Sequence, residues 1–461
     1  MKKIETKIRN TALPLAACIL ILLLGCDSIE VETPSHLLSG ENVYTDAKTV
    51  EAAMVAIYAN LRDSGLLTGT PQGISTLMGN YADELDYYSP IRLAEEPFNK
   101  NSLTAAEPSI AELWNGAYNQ IYQANAIVEG VRDSRFFTVE EQNQFTGESF
   151  FVRALIHFYL VNLYGDIPYI TTTNYLENKI VSRMPEQEVY SAIVEDLMAA
   201  QELLPEMDVT AQHLRPNKYT ALALLARVHL YTNNWELANQ YSSVVIDNNG
   251  WEENIENVFL NTSSSTLWQF SPNEEDGNTL EANTFIILSA PPSERALSNR
   301  VVDAFEAEDL RRVHWVGEIS DGTTTWFFPY KYKIGLGAGT SQEYSIVFRM
   351  AEQYLIRAEA RTMLGDLAGA QADINKIRNR AGLVATSAFS EAELLNAIRQ
   401  ERQVEFFTEF GHRFFDLKRW GLLDEILNGV KPGWNSTDRV LPLPEKELLV
   451  NPNLQPQNDG Y

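Results

Sequence analysis

Two adjacent tyrosines in a polar, irregular segment are the residues best suited to hold a ligand. Tyr87 and Tyr88 follow the acidic residues Asp83 and Glu84 and precede Arg92. A sugar ring presents apolar C–H faces edged by hydroxyl groups, so aromatic planes bordered by carboxylate, amide or guanidinium groups are suited to bind it. Because binding residues are concentrated in loops, the sequence predicts a carbohydrate platform that includes Tyr87, Tyr88 and Arg92. The alternative is that one tyrosine of the pair packs against the helices.

Three aromatic residues in other irregular segments are further candidates for this platform. Phe285 follows a polar loop, Trp326 follows the glycine and threonine run at 322–325, and Trp434 lies in a short loop with proline and glycine. Trp268 differs because it alternates within a short β-type run, which predicts a core residue. The sequence therefore adds Phe285, Trp326 and Trp434 to the predicted glycan-binding residues.

The sequence contains no motif that would assemble a catalytic or metal centre. It has no HExxH, no GxSxG and no aspartate-rich calcium loop, and its six histidines are scattered. With 62 acidic residues some carboxylate pair must occur by chance, so adjacent acids alone do not indicate glycoside hydrolysis. We therefore expect a binding protein without catalytic residues, metal or cofactor. Two alternatives stay open: a surface polysaccharide hydrolase or lyase on an all-helical toroid, and a tetratricopeptide-type scaffold that binds protein.

Three glutamates recur every four residues near the C-terminus. Glu401, Glu405 and Glu409 would line one face of a helix. Arg413 or Arg419, beyond the following turn, could form ion pairs with them. Arginine is the residue best suited to buried pairing with carboxylates. We expect a buried ion-pair clasp between two helices rather than an acidic catalytic helix.

The N-terminus has the features of an export signal. Four basic residues precede an apolar run at 12–24, which is shorter than the ~20 apolar residues that a bilayer span needs. The run ends at Gly25-Cys26, which resembles the lipobox of bacterial lipoproteins. We expect residues 1–25 to be a signal peptide, Cys26 to carry the lipid anchor, and residues 26–45 to form a tether. An ordinary secretory signal with an incidental cysteine is the alternative.

The chain is strongly acidic, with a formal net charge of −26. Removal of the signal peptide takes away four positive charges and one negative charge, which leaves −29. Such a field repels nucleic acid and other polyanions. We therefore expect a neutral polysaccharide or oligosaccharide as ligand, with a β-glucan or a fructan favoured, and no nucleic acid. The alternative is a local basic pocket that overrides the field, for which the sequence offers Arg295, Arg300, Arg311 and Arg312.

Periodicity predicts a mostly α chain with a small β-rich and loop-rich insertion. Apolar residues recur with helical spacing over 46–249 and 343–461, whereas 250–342 carries turn residues around short β-type runs and is expected to contribute to the ligand site. Two helical runs share a pattern of small residue, turn residue and small residue, at Ala226, Asn233 and Ala238 and at Ala358, Gly365 and Ala370. The pattern resembles the tetratricopeptide helical hairpin and favours a helical scaffold.

Several segments resemble the SusD/RagB family of outer-membrane nutrient-binding lipoproteins. The densest is 401–421, which mixes charged and aromatic residues and in which Phe410 is an additional residue relative to the commoner pattern of the family. The other segments, in the order of the family, are 153–168, 348–360, 374–383 and 441–461. The resemblance implies a tetratricopeptide-like helical scaffold, a non-catalytic glycan site and a SusC-like TonB-dependent outer-membrane transporter as partner. It also implies a lipid-anchored position on the cell surface.

We expect Cys26→Ala to abolish lipidation and to release the protein from the outer membrane, because the acylated thiol would be lost and the rest of the chain stays in water. Palmitate labelling and membrane fractionation measure the two effects. Cys18→Ala is the matched control, since Cys18 lies inside the predicted signal peptide. Labelling that persists in Cys26→Ala contradicts the lipobox assignment.

Overall fold

The structure is a computed structural model that describes residues 43–461 apart from 133, 275, 276, 336, 338 and 340. The predicted signal peptide, Cys26 and most of the predicted tether lie outside the described residues. Tyr44–Tyr461 forms one compact unit. Among the described helices, none combines the length and the hydrophobicity that a bilayer span requires.

Helices make up most of the regular structure, so the predicted mostly α fold class is confirmed. In chain order the described α-helices are α1 (Ala47–Asp63), α2 (Ile74–Tyr81), α3 (Glu96–Asn99), α4 (Pro108–Arg132), α5 (Val139–Tyr164), α6 (Tyr175–Asn178), α7 (Glu186–Leu203), α8 (Lys218–Tyr231), α9 (Trp235–Asn248), α10 (Leu280–Phe285), α11 (Asn299–Val302), α12 (Leu310–Trp315), α13 (Met350–Met363), α14 (Leu367–Arg380), α15 (Glu391–Phe406), α16 (His412–Arg419), α17 (Leu423–Leu427) and α18 (Glu445–Val450). The described strands are β1 (Leu85–Tyr87), β2 (Thr266–Phe270), β3 (Arg295–Leu297), β4 (Val316–Ser320), β5 (Thr325–Pro329) and β6 (Ser345–Arg349).

The two helical hairpins predicted from the repeated pattern are confirmed. α8 and α9 form one hairpin, α13 and α14 form the other, and α9 packs against α13. The turn residues Asn233 and Gly365 have φ values of 57° and 84°, in the left-handed region that allows a tight reversal after a helix. Ala226 and Ala238 are fully buried where the helices approach each other. The small and turn residues of the pattern therefore set the geometry of the hairpins.

α5 lies at the centre of the scaffold and packs against α4 and α7. Every residue from Phe151 to Tyr164 is buried, as in a helix that is enclosed on all sides. Trp268 of β2 is fully buried and its ring centroid lies 5.2 Å from that of Phe151. The prediction that Trp268 is a core residue is therefore confirmed.

β2 pairs with β6 in an antiparallel ribbon that lies against this core. The sequence predicts a helix from residue 343 onward, which is wrong for Ser345–Arg349. Ile346 and Val347 are β-branched and fit the ladder that they form with β2. The helix begins only at Met350.

The second sheet has the antiparallel strand order β1-β3-β5-β4. β1 comes from the segment between α2 and α3, whereas the other three strands lie within 250–342. Tyr87 lies opposite Arg295, and Leu297 lies opposite Phe327. The sheet thereby joins the tyrosine segment to the β-rich part that carries Trp326.

The C-terminal coil packs against helices from the first half of the chain. The Tyr81 hydroxyl at the end of α2 donates to the Asp438 carbonyl at 3.0 Å. The Asn458 amide donates to the carbonyl of Tyr164, the last residue of α5, at 2.8 Å. The last residues of the chain therefore complete the surroundings of two early helices.

A cluster of buried charges joins the β-rich part to the scaffold. Glu405 in the last turn of α15 accepts hydrogen bonds from the guanidinium groups of Arg311, Arg349 and Arg380. Burial alone would raise the pKa of Glu405, but the three positive charges outweigh it and hold the pKa well below its usual value. The predicted ion-pair clasp is confirmed at this glutamate.

The arginines predicted to complete the clasp have other partners. Arg413 forms a bidentate pair with Asp83 at 2.8 Å, and Arg419 binds Glu359 and Asp416. The arginines that do pair with the glutamates come from α12, β6 and α14, which are remote in sequence. The prediction of one helix face holds for Glu401 and Glu405 but is wrong for Glu409, because α15 ends at Phe406. The spacing of the glutamates carries no information about remote partners.

The additional residue Phe410 lies where α15 gives way to α16. α15 ends at Phe406, and Phe410 and Gly411 have φ values of 43° and 75°. The Phe410 ring is buried in the core, which holds the residue in this unfavourable backbone region. The extra residue therefore forms the turn between the two helices.

We expect Glu405→Gln to lower the free energy of unfolding by about 3–5 kcal/mol, because it keeps the shape of the side chain but leaves three buried guanidinium groups without their counter-charge. Chemical denaturation measures the loss. Glu391→Gln, at the exposed start of the same helix, is the matched control. A loss no larger than that of the control would contradict the prediction.

Candidate functional site

The tyrosine segment is attached to the four-stranded sheet by backbone hydrogen bonds. Tyr87 is the last residue of β1, and the Tyr88 N–H donates to the Glu294 carbonyl at 2.7 Å, which extends the pairing with β3 by one residue. Successive side chains of an extended strand point to opposite faces. Tyr87 and Tyr88 therefore point to opposite faces of the sheet, and their two rings cannot both belong to one stacking surface.

Tyr88 and Trp326 meet although they are remote in sequence. The Trp326 indole, whose N–H can only donate, lies close enough to the Tyr88 hydroxyl to lower the pKa of that group. Trp326 is the second residue of β5, which is the neighbour of β3. Tyr88 is 40% exposed and Trp326 is partly buried. Two of the predicted aromatic residues thus form one accessible pair at the sheet, the Tyr88–Trp326 pair.

The Tyr88 hydroxyl keeps its proton at neutral pH. Burial and the negative charge of Asp86 raise its pKa, and the nearby Trp326 indole N–H works in the opposite direction. A neutral phenol can donate its proton while its oxygen accepts a hydrogen bond. Tyr88 can therefore offer a donor to a ligand oxygen.

Tyr87 shapes the loop, and Arg92 lies at its exposed end. The Tyr87 hydroxyl donates to the Ile91 carbonyl at 2.5 Å and accepts from the Leu93 N–H at 3.0 Å, so it is engaged within the loop. The guanidinium of Arg92 binds Glu107, but its side chain remains 62% exposed. Arg92 thus has N–H groups free for a ligand at the margin of the loop.

The structure places Phe285 in the core rather than on the platform, so the expectation that its ring is exposed is wrong. Phe285 is 4% exposed and belongs to the hydrophobic cluster that contains Trp315 and Tyr332. The polar residues before it indicate a loop, but the chain forms the short helix α10 there and turns its apolar end inward. A ring without an exposed face cannot stack on a sugar.

Trp434 contacts the scaffold. Its ring centroid lies 6.2 Å from that of Tyr81 in an edge-on arrangement, and its indole N–H donates to Asp424 at 2.9 Å. These contacts orient a partly buried ring. A role of Trp434 in ligand binding stays a prediction.

A cavity of about 240 Å³ lies at the start of β3, next to the backbone of the Tyr88 segment, and the sequence reasoning missed it. It is lined by residues 283–289 and 293–295. Tyr88 does not line the cavity, but its N–H donates to the carbonyl of Glu294, which does. The only signal in the sequence is the serine and proline run at 289–293, which predicts a loop but not a hollow.

Asp83 and Glu84 support the platform from behind. Both side chains are buried; Asp83 pairs with Arg413, and the carboxyl of Glu84 accepts the Thr408 N–H at 3.2 Å. Burial and the adjacent Asp83 charge raise the pKa of Glu84 to about 8. These contacts fix the corner from which β1 starts.

Two family models match the chain. The model described as the SusD family matches residues 316–461, and the model described as starch-binding and associating with the outer membrane matches residues 50–230. Two SusD-like proteins of Formosa agariphila are 26% and 28% identical to this chain. They match 95% and 96% of it and 97% and 98% of their own lengths.

Solved structures resemble this fold over most of its length. A laminarin-binding SusD-like protein is 23% identical with a TM-score of 0.76, over 91% of this chain and 100% of the other. A SusD-like carbohydrate-binding protein from Bacteroides fragilis is 19% identical with a TM-score of 0.77, over 90% and 100%. These structures confirm the predicted tetratricopeptide-like fold. The two family models and the SusD-like relatives confirm the predicted family: the chain belongs to the SusD/RagB family.

Proposed function

We propose that this chain is a lipid-anchored, surface-exposed glycan-binding protein of the outer membrane that captures an oligosaccharide or polysaccharide and passes it to a SusC-like TonB-dependent transporter. The observation that carries the proposal is the Tyr88–Trp326 pair beside the cavity of 283–295. Carbohydrate binding is supported by the relatives named for it, one of which binds laminarin. Association with the outer membrane is supported by the description of the second family model.

The Tyr88–Trp326 pair can hold a sugar by two complementary kinds of contact. The ring faces pack against apolar C–H groups, and the polar groups around them bind hydroxyls. The Tyr88 hydroxyl, the Arg92 guanidinium and the Glu294 carboxylate supply these groups. The side chains of Arg92 and Glu294 are 62% and 47% exposed. The site therefore combines stacking surface with donors and acceptors.

We propose that the protein binds glycan without cutting it. Glycoside hydrolysis uses two carboxyl groups that flank the glycosidic bond. The adjacent acids Asp83 and Glu84 are 3% and 2% exposed and are engaged by Arg413 and Thr408, so they cannot reach a ligand on the platform. In the part of the chain that the structure describes, no three His, Cys, Asp or Glu side chains are grouped so as to hold a metal ion.

The anchor and the transporter partner rest on the sequence. Cys26 ends a lipobox-like run, and residues 26–45 would tether the lipid to the folded unit that begins at Tyr44. Several acyl chains together give stable membrane residence, whereas one alone gives only marginal binding. A SusC-like transporter follows from the family resemblance of the whole chain.

We propose that the ligand is neutral, with a β-glucan or a fructan favoured. Three of the four arginines available for a basic pocket are engaged by carboxylates. Arg295 binds Glu95 at 2.6 Å, Arg311 lies in the buried charge cluster, and Arg312 is 3.3 Å from Glu318. Their charges are therefore balanced locally, and the overall negative field still acts on a polyanion.

We expect Tyr88→Ala with Trp326→Ala to weaken retention of the best-bound glycan by about tenfold or more, because stacking surface at the centre of a site carries much of the binding energy. Affinity gels that contain laminarin or levan measure retention. Phe136→Ala with Phe389→Ala, at rings that are 58% and 59% exposed elsewhere, is the matched control. A platform variant that melts normally and binds as before would show that the pair is not the platform.

The affinity for a neutral glycan should change less than about threefold between 0.15 M and 0.01 M salt, although the screening length grows from ~8 Å to ~30 Å. An uncharged polymer does not feel the negative field, whereas a polyanion is repelled more strongly as salt falls. Titration of the best-bound neutral glycan and of an anionic glycan at both salt concentrations measures the difference. Binding of the anionic glycan that strengthens at low salt would contradict the proposed neutral ligand.

A further inference from the structure

A groove on the helical scaffold has the composition of a ligand site and shares no lining residue with the Tyr88–Trp326 pair. It lies between α4, residues 168–181 with α6, and residues 447–454 at the end of α18 and beyond. Its volume of about 360 Å³ is in the range of small-molecule pockets. The proposed function above makes no use of it.

Four aromatic residues line the groove. Trp114, Tyr118 and Tyr122 follow one another at intervals of four residues along α4 and so lie on one face, and Tyr175 begins α6. The ring centroids of Trp114 and Tyr118 are 4.8 Å apart. Tyr122 is 50% exposed and Tyr175 is 73% exposed. The groove therefore has open ring faces at its mouth above a nearly buried indole.

Trp114, which lines the groove, carries a hydrogen-bond donor that no described residue accepts. Trp114 is 3% exposed, yet its indole N–H donates to no residue among those described, and its nitrogen is not sealed from solvent. The neighbouring Tyr118 hydroxyl, in contrast, donates to the Pro168 carbonyl at 2.8 Å. A nearly buried N–H without a protein acceptor needs water or a ligand oxygen. This donor indicates that the groove suits an occupant that carries oxygen.

The rim carries an amide, an ammonium and a carboxylate, from Asn115, Lys179 and Glu447. The Lys179 ammonium lies 5.7 Å from the centroid of the Tyr175 ring. The single positive and single negative charge balance, so the rim does not select an ion. Apolar faces edged by balanced polar groups match the faces and hydroxyls of a sugar.

We propose that this groove is a second carbohydrate-binding site, which takes a short stretch of a neutral oligosaccharide. The rings of Tyr122 and Tyr175 pack against sugar faces, and the Trp114 N–H donates to a sugar oxygen. The polar groups of the rim bind the outer hydroxyls. The proposal goes beyond the proposed function, which requires only the Tyr88–Trp326 pair.

The two sites are linked through the start of α4, and one polymer that spans both would engage them together. Arg92 at the platform binds Glu107, just before the start of α4. Tyr122 follows about 15 residues later, which is about 22 Å at the rise of an α-helix. Two linked contacts raise the affinity for a polymer above the affinity for a short oligosaccharide. The second site therefore predicts a preference for long chains.

Calorimetric titration of wild-type protein and variants tests the proposal. The probes are laminarin and levan and short oligosaccharides prepared from each. The groove variant is Tyr122→Ala with Tyr175→Ala, which removes exposed rings without opening a core cavity. The platform variant is Tyr88→Ala with Trp326→Ala, and Phe136→Ala with Phe389→Ala is the control for loss of exposed rings.

The expected result is two oligosaccharide sites per wild-type chain and one in the groove variant, with polymer affinity lowered by about tenfold in that variant. Trp114→Phe keeps the ring packing and removes only the N–H, so it should weaken the groove site at an unchanged melting temperature. A groove variant with wild-type stoichiometry and wild-type polymer affinity overturns the second site and leaves the proposed function intact. A wild-type protein that binds none of the probes overturns both.

Leu449 and Val450 of α18 are exposed beside the groove and would suit a protein contact instead. Sedimentation of the same variants distinguishes a glycan in the groove from a second protein molecule. One outcome is that the wild-type protein sediments as a dimer, whereas the groove variant is monomeric and keeps its glycan stoichiometry. The groove would then be a contact between copies of the chain, and the carbohydrate proposal would be overturned. Monomeric behaviour of both, with loss of one glycan site, supports the proposal.

Discussion

The burial of Glu405 is the constraint on which the rest of the structure depends. A carboxylate enclosed by protein is tolerated only when opposite charges and hydrogen bonds compensate for its lost hydration. Here the compensation comes from Arg311, Arg349 and Arg380, on three elements that are remote in sequence. Because an unpaired charge in this position would be costly, the elements must assemble together. The cluster thus specifies one relation between the scaffold helices and the β-rich part.

The same cluster helps to position the proposed glycan platform through Lys331. Lys331 lies two residues after the end of β5. Its ammonium donates to the carbonyls of Glu405 and Phe407 at 2.8 Å and 2.9 Å. Burial lowers the pKa of Lys331 to about 8, and these acceptors help to hold it in place. Since β5 carries Trp326 and its sheet also holds the Tyr88 segment, the contacts of Lys331 help to fix the strand that carries one member of the Tyr88–Trp326 pair. A platform held in this way loses little freedom on binding.

Local features could be predicted from the sequence, whereas contacts between remote segments could not. The hairpin turns at Asn233 and Gly365 follow from residues a few positions away. Tyr88 and Trp326 could each be recognised as loop aromatics, but their meeting depends on strand pairing between distant segments, which no local pattern encodes. Phe285 was predicted wrongly for a related reason: its polar neighbours indicate a loop, while tertiary packing turns the ring inward. The aromatic stripe on α4 has the spacing of an ordinary core face, so the sequence gives no signal for the groove.

The contact of the C-terminal coil with α2 and α5 has a consequence for the order of events during biosynthesis. A chain that emerges N-terminus first presents these helices long before Asp438 and Asn458 exist to cover them. Closing such long loops is entropically costly, and folds dominated by remote contacts form slowly. The fold can therefore be completed only when the last segment has been released. That delay would suit the export that the N-terminal sequence predicts, in which the chain crosses a membrane unfolded and folds on the far side.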